Sequence, residues 1–216
     1  LGVNCTHKMY LNSVKKSKET HIFEWTGCSM WAINELISSN FEGLFEHEQI
    51  KKQLMFKGDT KKIFTHQKYY LRLMHEFDNN IDTIAINKFN DFKNKYTRRI
   101  SRFYDLLNSK ESILFWRLQE KMNDRIINDD YKEKFANDEL DEIIKFSDYL
   151  KNNYKTLKFS ILYFSYTPNR SYDESHNIII LPVPYSIKLE TCVKIVTDVV
   201  NLNKNFIDDC VKQIIK

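Results

Sequence analysis

The stretch Ser112-Ile113-Leu114-Phe115-Trp116 is apolar at nearly every position, where a strand with one wet face would alternate. Such a run is buried on both faces. Residues 159–164 repeat the pattern, and residues 177–181, closed by Pro182 and Pro184, repeat it again. Between the first two runs Asp138 is placed to cap a helix carrying Leu140, Ile143, Ile144, Phe146 or Ser147, and Leu150. Helix and apolar strand in alternation are the βαβ pattern, and right-handed crossovers then give a parallel sheet. The expected fold is α/β and three-layered, with a mostly parallel central sheet flanked by helices. Ligands of such sheets bind beyond the carboxyl ends of the strands.

Working outward, the N-terminal half reads as helix-rich. Residues 5–17 form a weak helix ending in a lysine-rich run. Residues 21–27 are a strand-like segment pressed against the core and stopped by Gly27. Met30, Ile33, Leu36 and Ile37 then repeat at helical spacing. Residues 46–56 are polar with a few anchors, Lys57-Gly58-Asp59 signals a turn, and residues 61–66 form a short strand. Residues 68–77 are expected to be helical. The clearest helix steps through Ile81, Ile84, Ala85, Phe89, Phe92, Tyr96, Ile100, Phe103 and Leu107 as one apolar stripe. Residues 121–137 read as a crossing loop, residues 167–170 as an exposed loop, and the last helix, from Glu190, as broken near residues 201–205.

With 216 residues, 42% of them hydrophobic, and only four Gly and three Pro, the chain is expected to form one α/β domain over residues 1–216 without long linkers. Leu1-Gly2-Val3 reads as the end of a buried strand, so an excised domain or a missing strand start is expected. The net charge of +4 permits an acidic protein partner and does not call for nucleic acid. Cys5, Cys28, Cys192 and Cys210 stand in no zinc spacing, and reduced thiols in a cytoplasmic setting are expected. No run approaches a membrane span. No Walker or G-x-G-x-x-G motif and no H-E-x-x-H occurs, so neither cofactor nor metal is expected.

The candidate nucleophile is Cys5. Gly2 allows a sharp turn, Asn4 is a good N-cap, and Cys5 would meet the free amides of a helix start, which favour the thiolate. A thiol hydrolase also needs a base within reach of sulfur. His66 ends a short strand. His176 lies in Asp173-Glu174-Ser175-His176, a spacing found around the base of some esterases. His7, His21, His47 and His75 read as surface residues; Arg98, Arg99 and Arg102 read either as holders of a phosphate or carboxylate or, more often for such a cluster, as the wet flank of the long helix.

Five motifs follow one another in order. They are Leu1-Gly2-Val3-Asn4-Cys5, Ile22-Phe23-Glu24-Trp25, Phe64-Thr65-His66, the run from Lys95-Tyr96-Thr97-Arg98-Arg99 through Ile100-Ser101-Arg102-Phe103, and Ile113-Leu114-Phe115-Trp116-Arg117. The order resembles a family of predicted papain-like cysteine peptidases of unknown function, with members in bacteria and large DNA viruses, over roughly residues 1–118. The resemblance implies Cys5 as nucleophile, His66 as its base and Glu24 at the position of the family's aspartate, acting on an amide or ester of a peptide or acyl substrate. Ile22 stands where the family has proline, and Glu24 is one methylene longer than aspartate, so it either shifts to orient the base or caps the helix that follows. A papain fold would set the histidine in a largely antiparallel half. The βαβ pattern favours instead a flavodoxin-like or esterase-like sheet with cysteine in the nucleophile slot. Two other readings stand beside the peptidase: a catalytically inactive interaction module, and an esterase-like acyl hydrolase using Cys5 with Asp173 and His176.

Overall fold

The computed structural model describes residues 20–24, 26–54, 62–119, 138–184 and 189–215. In chain order the helices are α1 (Met30–Ser38), α2 (Ile86–Leu107), α3 (Glu139–Asn153), α4 (Leu189–Leu202) and α5 (Lys204–Ile215), with a 3-10 turn at His47–Gln49. The strands are β1 (Ile50–Leu54), β2 (Lys62–His66), β3 (Leu71–Arg72), β4 (Ser112–Leu118), β5 (Lys158–Ser165), β6 (Ser171–Asp173) and β7 (Ile178–Pro182). The expected helices over residues 5–17 and the loop over residues 121–137 lie outside the described residues, as do Lys57-Gly58-Asp59.

The apolar runs form the mostly parallel sheet they imply. Its strand order is β4-β5-β7-β6. β4 pairs in parallel with β5, and β5 with β7. Burial on both faces follows from alternation along β5. Phe159, Ile161 and Tyr163 pack with Ile113, Phe115, Phe146 and Ile178 in one cluster. Leu162 and Phe164 pack with Trp116, Leu118, Ile179, Leu181, Val196 and Ile207 in another. Helix starts obey local chemistry: the Asp138 carboxylate accepts from the Leu140 amide at 3.2 Å and Ser29 Oγ from Ala32 at 3.1 Å. The chain breaks between α4 and α5 at Asn203, within the expected interval. β6 is an addition. It leaves the exposed 167–170 loop and pairs antiparallel with β7.

The N-terminal half departs from the expectation. Besides α1 and the 22-residue α2 it carries a second sheet, antiparallel, in the order β1-β2-β3. β1, with the sequence IKKQL, buries only Ile50 and so shows no strand pattern. Residues 68–77 are not helical. Tyr70 sits at φ 52°, the Tyr69 hydroxyl donates to the Glu42 carbonyl, and β3 turns back along β2, pairing Leu71 with His66. α2 starts at Ile86, not near Ile81. There the Asp78 side chain accepts from the Asn80 amide at 2.9 Å, closing a local turn that competes with helix. Ile84 still anchors the core, at 7% exposed. Residues 22–24 form a buried bend, and Gly27 contributes a single bridge to Arg72 in place of a strand. His66 thus belongs to the antiparallel sheet, apart from the parallel one. No helix among the described residues is long and apolar enough to cross a membrane.

Candidate active site

Residues 26–28 join the two sheets. The Gly27 amide donates to the Arg72 carbonyl at 3.2 Å and the Arg72 amide to the Gly27 carbonyl at 2.9 Å. The Arg72 guanidinium lies over Gly27: a Cβ there would stand 2.4 Å from Nε. That close approach is why the position takes glycine. One residue on, the Cys28 carbonyl accepts from Arg117 Nη1 at 2.9 Å. Arg117 is fully buried near the carboxyl end of β4, and its Nε and Nη2 both donate to Glu139 at the start of α3. The carboxyl ends of the parallel strands are thereby tied, through Arg117, Cys28, Gly27 and Arg72, to the hairpin that carries His66. Burial pushes the Cys28 thiol up, with Arg117 and Arg72 acting against it. Cys28 is therefore an inert core thiol.

His66 is buried without any exposed surface. Its Nε2 donates to the Gly43 carbonyl at 3.1 Å, and its Nδ1 faces the Tyr69 amide at 3.4 Å. A carbonyl can only accept and an amide N–H can only donate, so both bonds require the Nε2–H tautomer. Burial lowers its pKa to about 4, the Gly43 carbonyl opposing and Lys68 assisting. The ring is neutral at pH 7 and carries its lone pair on Nδ1. Gly43 itself sits at φ 76°, which turns its carbonyl toward the ring at a backbone angle that side chains disfavour.

Glu24 is buried at 8% exposed in the bend of residues 21–24. It does not cap α1, a task that Ser29 performs. Cys5 lies outside the described residues, as does Trp25. His47 is not a plain surface residue: its Nε2 bonds the Ile84 carbonyl at 3.1 Å and its ring meets Phe89 edge-on. The arginines of α2 divide. Arg98 is exposed, but Arg99 is buried at 9% and Arg102 reaches the Thr20 carbonyl at 3.4 Å. Arg99, Tyr96 and Lys95 converge on the Glu76 carboxylate, with Arg99 at 3.3 Å and the Tyr96 hydroxyl at 3.1 Å. The fourth quoted motif is thus a cradle for one buried acid. Sequence reasoning missed Glu76, Arg72 and Glu139; arginines beside apolar helix and strand positions were the available signal.

Asp173 and His176 do meet, at 2.7 Å through Nδ1, with Ser175 Oγ donating to Asp173 at 2.6 Å. Burial raises the Asp173 carboxyl, and the Ser175 and His176 hydrogen bonds outweigh it, leaving the group below its ordinary value. This turn precedes β7 and so lies at the amino end of the parallel strands, opposite Arg117 and Gln119. Among the described residues no group of three or more His, Cys, Asp or Glu side chains is placed to hold a metal ion.

A family model described as "Putative papain-like cysteine peptidase (DUF1796)" matches residues 1–169. A relative, the uncharacterized protein R408 of Acanthamoeba polyphaga mimivirus, is 24% identical over 186 residues, covering 80% of this chain and 78% of that one. No solved structure matches. The family match spans the sheet-to-sheet joint, the His66 hairpin and the Glu76 cradle. The chain belongs to the DUF1796 family of putative papain-like cysteine peptidases.

Proposed function

We propose that the chain is a thiol-dependent hydrolase in which Cys5 attacks the carbonyl carbon of an amide or ester. His66 Nδ1 takes the thiol proton, the thiolate adds to the carbonyl, and amides following Cys5 hold the oxyanion. His66 returns the proton to the leaving amine or alcohol, and water then releases the acid from the thioester. Glu24 is the supporting carboxylate. The observation that carries this reading is the His66 ring: neutral, held by Gly43 in the tautomer that leaves Nδ1 as acceptor, and met there, among the described residues, by the Tyr69 amide at 3.4 Å. The antiparallel setting of His66 agrees with the family's papain-like description. We further infer one domain over residues 1–216, with helices on both faces of the parallel sheet, working in the reducing cytoplasm; Cys28 and Cys210 are free thiols.

An iodoacetamide probe at pH 6 is expected to label Cys5 well ahead of Cys28 and Cys210, and His66→Gln to slow that labelling by about 10²-fold or more. Equal labelling of Cys28 would overturn the reading. A non-catalytic interaction module is the second reading, favoured by a specific observation: His66 is sealed from solvent and both ring nitrogens already serve the backbone. Its signature is a Cys5→Ala chain that retains every measurable phenotype. The esterase-like alternative with Asp173 and His176 has its pair formed, but at the end of the sheet away from the joint. His176→Gln leaving Cys5 labelling unchanged would remove it.

A further inference from the structure

A cleft of about 460 Å³ opens between the antiparallel sheet and residues 82–84, apart from the joint of the two sheets. Its floor is Phe64 and Ile50, with Ile84 on the wall, all three nearly buried. Its charged groups are Lys51, Lys52 and Lys62 against Glu48 and Asp82, an excess of positive charge. The Lys52 side chain is only 17% exposed, and its ammonium donates to the Ile81 carbonyl at 2.8 Å and to Asp82 at 3.1 Å. An ammonium has three donors, so one is left over. Asp82 is 95% exposed and is a weak, screened partner. Lys62 stands on the same face of the sheet, since Lys52 pairs with Phe64 and Leu54 with Lys62. The ladder's next pair on that face is Ile50, which lines the cleft, with His66, which lies buried beyond it.

We propose that this cleft receives the acidic side chain of a polypeptide, with its carboxylate between Lys52 and Lys62 and its methylenes on Phe64. The chemistry is that of the site: cations above an apolar floor suit a carboxylate on a short hydrocarbon stem better than a fully hydrated anion. The extended backbone bearing that side chain would lie along the ladder in the direction of His66. Only this last link rests on the thiol-hydrolase reading; occupancy of the cleft rests on its own groups.

The test uses the full chain carrying Cys5→Ser, so that no turnover intervenes, and calorimetric titration with three probes. These are a six-residue alanine peptide with one central glutamate, its glutamine counterpart, and inorganic phosphate. The glutamate peptide is expected to bind about tenfold tighter than the glutamine peptide. Lys62→Ala is expected to weaken it about fivefold and Lys52→Met more, while Lys204→Ala, on α5, changes nothing. Equal binding of the two peptides, or an unchanged affinity in Lys62→Ala, overturns the proposal. Phosphate that displaces the glutamate peptide at similar concentration overturns the side-chain assignment in favour of a simple anion site. Because binding is read without chemistry, failure of Cys5 labelling leaves this result standing, and the converse also holds.

Discussion

His66 has a consequence for stability that does not depend on catalysis. Its pKa falls from the ordinary 6.5 to about 4 on burial, so in the folded chain it stays neutral while the unfolded chain takes up a proton. Above pH 6.5 both states are neutral and the residue contributes no slope. As pH falls from 6.5 toward 4 the unfolded state binds more protons and stability drops, by roughly 3 kcal/mol across that window. Urea midpoints measured through this range should show that loss, and His66→Gln should flatten it. A second residue-scale outcome concerns Gly27. The Arg72 guanidinium occupies the space of a Cβ, so Gly27→Ala must push it off its carbonyl contact. A cost of about 1–3 kcal/mol is expected, read as a lower denaturation midpoint at unchanged slope.

Among the elements, those whose burial shows in their own residues were legible and those made by distant partners were not. β4, β5 and β7 announce themselves because each is apolar on two faces, and α3 because Asp138 precedes its stripe. β1 is polar outside Ile50 and exists because β2 supplies its hydrogen bonds, which its own sequence does not encode. β3 is two residues long, held by Tyr69 and Gly27 from elsewhere. The site was legible in the same way. His66 is visible as a strand-end histidine, but its Gly43 and Tyr69 partners come from turns. Arg99 reads as a wet flank until Glu76, from a loop after β3, folds beneath it. That cradle fastens the His66 hairpin to α2. Glu76→Ala leaves the buried Arg99 without its carboxylate and should cost about 3–5 kcal/mol, while Arg99→Met leaves Glu76 its Lys95 and Tyr96 partners and should cost less. The double variant Glu76→Leu with Arg99→Met should cost less than the sum, a coupling that a double-mutant cycle measures directly.

For the whole molecule, the family match ends at residue 169, yet β6, β7, α4 and α5 lie beyond it. These elements are not an appendage. β7 pairs with β5 along five residues, and Ile178 enters the cluster shared with α1, α2 and α3 while Ile179 and Leu181 enter the other. The second cluster is closed by Val196 from α4 and by Ile207 and Cys210 from α5, which cover Leu162, Phe164 and Trp116. Without those two helices, the other face of strands that also pack against the N-terminal half would be presented to water as a continuous apolar surface. A chain ending at Pro184 is therefore expected to bind the dye ANS strongly and to aggregate, and not to behave as a smaller stable domain. Val196→Asp tests the same dependence without deletion: a charge in a fully buried position should lower the urea midpoint of the entire chain in one transition. Two separated transitions, with the His66 hairpin surviving the first, would instead make the C-terminal elements an independent unit, since the joint through Arg117 and Cys28 would then have held on its own.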